Sequence, residues 1–168
     1  MDARNVLRPV TRRGQRGRGT LLQAPPQPRI DARLSRFTDL LDTISEGERA
    51  LDAAHRAVER NEPAHAELAL SRFLGDARPV LERVGDLPAE YVDLLGQTVA
   101  RALVARAAAW IEHTFASERS DDDPTADALR KAARADVAEV ASLPPAWLDG
   151  KTQAMLARLQ RVLELAPT

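Results

Sequence analysis

The chain has no cysteine, which removes disulfides, thiol nucleophiles, cysteine zinc sites and iron–sulfur clusters together. It is also poor in aromatics: three Phe, two Trp and one Tyr among 168 residues. Its core must therefore rest on alanine, leucine and valine. That composition favours closely packed helices over a β-sandwich, because strands draw on β-branched and aromatic side chains. No run approaches the roughly 20 apolar residues of a membrane span, and Arg101 and Arg106 interrupt even the most apolar stretch, 99–111. A soluble protein without a membrane partner is expected. An apolar h-region of about 7–15 residues is missing near the N-terminus, so no secretory signal is expected either. Cytoplasm is the expected compartment, with an arginine-rich mitochondrial presequence as the alternative that composition leaves open.

Lysine is nearly absent as well, with 22 arginines to 2 lysines, and those arginines are unevenly placed. The first 30 residues hold seven arginines against the single acid Asp2, a net of +6, while the remainder carries 17 basic and 24 acidic residues, a net of −7. A basic arm is joined to an acidic body. Residues 1–29 show no sustained apolar periodicity and are punctuated by Gly14, Gly17, Gly19, Pro9, Pro25, Pro26 and Pro28. Such a segment buries too little apolar surface to offset its ordering entropy, which predicts a flexible or extended arm, with the 24–28 run as a stiff polyproline spacer. Residues 30–168 are expected to form a single helical domain with an acidic linker near 117–124.

Within that domain the apolar spacing is helical throughout. Asp31 is a candidate N-cap for a first helix running to about Arg60. Ile30, Leu34, Phe37, Leu41 and Ile44 follow 4-3-4-3 spacing, and Phe37, Leu40, Ile44, Gly47, Leu51, Ala54 and Val58 form an overlapping stripe. Gly47 is a weak point, and Ser45 with Glu48 reads as a capping box that could restart a helix there, although continuity is favoured. Glu48 and His55 interrupt the first stripe and are expected in solvent, with a register role against a partner helix as the alternative.

Asn61-Glu62-Pro63 marks a break. The helix after it carries Leu68, Leu70, Phe73 and Leu74 and is expected to divide or kink at Gly75 and Pro79. Gly85-Asp86-Leu87-Pro88 opens a long helix over about 88–117, predicted to be central, with alanines at 100, 102, 105, 108 and 109 admitting neighbours. Leu103 is expected to be indispensable there and Arg106 replaceable. Asp123-Pro124 supplies a cap with proline behind it. The next helix carries Leu129, Ala133, Val137 and Val140, Trp147 and Leu148 plug the following turn, and a last helix carries Met155, Leu156, Leu159, Val162 and Leu163. The expected fold is all-α, a five- or six-helix bundle or short helical array with an extended basic N-terminal arm.

The segment 49–70, with Ala50, Ala57, Pro63 and Ala66, is similar to the boundary between two tetratricopeptide repeats. Pro63 and Pro88 stand closer together than the roughly 34 residues of that repeat, so the resemblance implies only a helix-turn-helix grammar.

Sites of chemistry are sparse. Glu62-Pro63-Ala64-His65 has the Glu-x-x-His spacing of di-iron bundles, yet no second copy exists to complete the set. Gly14 to Thr20 lacks the lysine and preceding strand of a phosphate loop, and no Gly-x-Ser-x-Gly elbow is present. No cofactor or metal is expected, and no enzyme. Trp110 and Trp147 read as packing residues. The candidate binding residues are Arg4, Arg8, Arg12, Arg13, Arg16 and Arg18, because guanidinium groups form bidentate hydrogen bonds with carboxylates and phosphates and a flexible segment can order around either. An acidic protein partner or a homo-oligomer is the leading expectation, and nucleic acid is the alternative.

Overall fold

The computed structural model describes residues 27–118 and 123–165, and among these it contains five α-helices and no strand. They are α1 (Gln27–Glu59), α2 (Pro63–Leu81), α3 (Ala89–Glu118), α4 (Asp123–Ser142) and α5 (Gly150–Leu165), with a 3₁₀ turn at Pro145–Trp147 before the last. The all-α helical array is as the spacing implied. Of the basic arm expected over 1–29, residues 1–26 lie outside the described residues and 27–29 belong to α1; part of the acidic linker, 119–122, is also outside them.

α3 organises the molecule because it packs against every other element. With α1 and α2 it forms one three-helix group, and with α4 and α5 a second. Two alanine-rich faces make this double service possible. Leu95, Val99, Leu103 and Ala107 are buried on α3 together with Ala100, Ala102 and Ala109, so small side chains admit one neighbour while large ones fill the space towards another.

Several expectations about boundaries are corrected. α1 starts at Gln27, ahead of the Asp31 cap, since Pro28 in a first turn lacks an N–H that would have no partner there anyway. It runs unbroken through Gly47. The Ser45 hydroxyl donates to the Leu41 carbonyl at 3.0 Å inside the helix instead of capping a new one. A Cβ on Gly47 would stand 2.7 Å from Phe73 Cζ and collide with the Thr98 methyl, so the glycine marks where α1 crosses its neighbours. α2 is likewise continuous, with Pro79 inside it. Proline there forfeits one bond, to the Gly75 carbonyl, close to a helix end where partners run out in any case. The break before α2 is where it was expected: Asn61 adopts φ 59°, a left-handed conformation asparagine tolerates, and the Glu62 N–H returns to the Ala57 carbonyl at 2.9 Å.

In the second group Leu129, Ala133, Val137 and Val140 of α4 are buried, as are Leu156, Leu159 and Leu163 of α5. Trp147 plugs the turn between them and α3: its ring lies on Gly96, where an added Cβ would collide with it, and its indole N–H donates to Asp93 Oδ1 at 3.0 Å. α5 is capped by a signal the sequence reading passed over. The Thr152 N–H donates to Asp149 Oδ1 at 2.7 Å, and this hydrogen bond lowers the Asp149 pKa.

Candidate interaction surface

The two overlapping stripes of α1 have different fates. Leu40, Gly47, Ala54 and Ala57 are buried in the first three-helix group. The 4-3-4-3 stripe lies along the flank facing α3. Phe37 meets Tyr91 edge-on with ring centroids 5.0 Å apart, and Glu48, next in the spacing, takes a bidentate ion pair from Arg101 at 2.8 Å and 3.3 Å. Glu48 and His55 are both exposed, as expected: Glu48 pairs with Arg101 of α3 at the surface, and His55 lies beside Glu59.

The contacts of Phe37 with Tyr91, Gly47 with Thr98 and Glu48 with Arg101 advance together, so α1 and α3 run parallel. α3 begins only at Ala89, and the stripe of α1 continues past that start. Ile30 is therefore 60% exposed and Leu34 62%, which corrects the placement of Ile30 as the beginning of the core. With Phe37, Leu87 and Pro88 they line an open groove of about 540 Å³. Its rim is ionic: Arg36 pairs with Asp86 at 2.9 Å, and Arg33 donates to the Asp86 carbonyl at 3.1 Å, tying the α2–α3 loop to α1. Leu41 and Leu94 are exposed as well. Leu94 sits one turn before Thr98 on the side of α3 that faces α1. A smaller groove of about 260 Å³ lies between α3 and α5, flanked by the exposed Phe115 and Met155. Met155 therefore stands apart from Leu156, Leu159 and Leu163, which are buried.

Polar groups converge at one other place, the seam between the two helical groups. Arg106 on α3 makes a bidentate pair with Asp136 on α4, at 2.7 Å and 2.9 Å, and donates to Ser71 Oγ on α2 at 3.1 Å. The side chains are 14% and 5% exposed. Burial acts to lower the Arg106 pKa, but the hydrogen bond and charge of Asp136 outweigh it and raise the value. Arg78 on α2 pairs with Glu139 on α4 at 2.7 Å alongside. Glu67 borders the cluster and its pKa is raised, chiefly by burial, with His113 and Arg106 opposing and Asp136 reinforcing the shift. Both Asp136 oxygens and all three nitrogens of the Arg106 guanidinium are used within the protein, so the cluster clamps α2, α3 and α4 together. Arg106, read from sequence as replaceable, holds that clamp.

Of the predicted binding residues, Arg4, Arg8, Arg12, Arg13, Arg16 and Arg18 all lie outside the described residues. α1 begins at Gln27, three residues before Ile30. His65 and Glu62 do meet, at 3.3 Å, but on the surface, and among the described residues no three histidine or carboxylate groups gather as a metal site would require. No helix among them is long and apolar enough to cross a membrane. Compared with protein-family models, with curated proteins and with solved structures, the chain matches none.

Proposed function

We propose that this protein is a non-enzymatic helical adaptor or structural subunit of a larger protein assembly, and that its arginine-rich arm docks on an acidic partner surface. The observation that carries the reading is the uncovered apolar stripe at the N-terminal end of α1, placed where the basic arm joins the body. Fully burying a leucine or isoleucine side chain contributes about 1.5–3 kcal/mol, so Ile30 and Leu34 together offer a partner several kcal/mol. Arginines beside such a stripe add orientation and association rate, by complementing an acidic rim, more than they add affinity.

The test is a comparison of the full chain with a chain lacking residues 1–26, used as bait after nuclease digestion. The reading expects protein partners that are recovered by the full chain and lost both without the arm and at high salt. Recovery of nucleic acid that depends on the arm, with a steep salt dependence of affinity, would replace it with the nucleic-acid reading that the arginine cluster also favours. Identical recoveries from both baits would remove the arm from either role.

A further inference from the structure

The 4-3-4-3 recurrence of Ile30, Leu34, Phe37, Leu41 and Ile44 is the spacing of a coiled-coil seam. α3 covers its C-terminal part and leaves Ile30, Leu34 and Leu41 exposed. We infer that α1 pairs with α1 of a second copy of this chain, end for end, about a two-fold axis passing between residues 35 and 36. That operation sets Leu34 level with the partner's Phe37 and Ile30 level with the partner's Leu41, so each side chain at the exposed end of the stripe gains an apolar counterpart and the contact is isologous.

Charge selects the antiparallel arrangement. A parallel pair would bring two arms of net +6 and two helix N-termini to the same end. The antiparallel pair separates them and sets the acidic run of each helix towards the N-terminal end of the other, with Asp42 level with position 29 of the partner helix. Asp39, Asp42 and Glu46 are exposed. The area sets the strength. About 20 Å of paired helix covers roughly 400 Å² over the two faces, less than the ~1,000 Å² of a stable interface. The dimer therefore exchanges with monomer and is populated as concentration rises.

This pairing uses the stripe that also carries the proposed function, and it is read on the purified chain alone: a chain that stays monomeric overturns the pairing and leaves capture of a different protein by the full chain to be read separately. Sedimentation velocity of the full chain over a hundredfold range of concentration is expected to show a monomer–dimer equilibrium. Leu34→Glu should weaken it by about tenfold or more while leaving the melting curve unchanged, because Leu34 is a surface residue. The chain's lack of cysteine allows orientation to be read directly. Chains carrying Ile30→Cys and Leu41→Cys, distinguished by mass and mixed under mild oxidation, should cross-link chiefly to each other. Ile30→Cys chains alone should not, since the two sites lie about 16 Å apart along the pair. A monomer at every concentration, a dimer indifferent to Leu34→Glu, or a predominance of disulfides between two Ile30→Cys chains would each overturn the inference.

Discussion

Replacing Arg106 with alanine removes three hydrogen bonds and leaves Asp136, 5% exposed, as a buried carboxylate facing no cation. Breaking a buried pair from one side costs about 3–5 kcal/mol, a large share of the roughly 5–15 kcal/mol by which a domain is stable. Arg106 retains 14% exposure, so water entering the vacated space offsets part of the loss and the expected cost lies nearer 3 than 5 kcal/mol. The paired replacement Arg106→Met with Asp136→Leu removes both charges, and the apolar substitutes are expected to bring stability back to within about 1 kcal/mol of the parent or above it. Urea unfolding followed by far-ultraviolet circular dichroism measures all three chains, and the singles Arg106→Met and Asp136→Leu close the double-mutant cycle. A coupling energy below about 1 kcal/mol, or an Arg106→Ala chain as stable as the parent, would show that the pair behaves as an exposed one and that the clamp between the two helical groups lies elsewhere.

Two further predictions concern single positions. Gly47→Ala in an ordinary helix interior stabilises by up to about 1 kcal/mol, but here the new methyl meets Phe73 and Thr98, so a net loss of about 1–3 kcal/mol is expected in the same unfolding assay. A stabilised variant would mean that α1 does not cross its neighbours at that point. For Glu67, whose folded pKa is raised above 4.5 chiefly by burial, the native state binds the proton more tightly than the unfolded chain does. The resulting stability is present below pH 4.5 and is lost as pH rises through the folded value. Glu67→Gln is therefore expected to be more stable than the parent at neutral pH, with the advantage shrinking as pH falls towards 4.5. A constant difference across a pH series of melting temperatures would refute the role given to burial.

The sequence by itself determined the class of fold, the number of helices to within one and most of the breaks between them, because these follow from short-range physics. Period 3.6 recurs in every apolar segment, Asn61 and Pro63 stop one helix and start another, and small residues such as Ala100 and Ala102 permit helices to approach. Trp147 as the plug of the last turn was also legible, since a large apolar ring beside Leu143-Pro144-Pro145 has to be buried against something. The continuity of α1 and α2 was not, or only as a preference, because Gly47 and Pro79 are helix breakers whose local cost is outweighed by contacts from residues far along the chain.

Tertiary structure alone decided which stripe of α1 is used. Two overlapping stripes are equivalent in sequence, and only the position at which α3 begins determines that Leu40 is buried while Ile30 and Leu34 are left in solvent. The pairing of Arg106 with Asp136, and of Glu48 with Arg101, was hidden for the same reason. An arginine within an apolar helix and an aspartate 30 residues further on carry no mark of each other, and only packing at the α2–α3–α4 seam makes one of these pairs a buried clamp and leaves the other a surface contact.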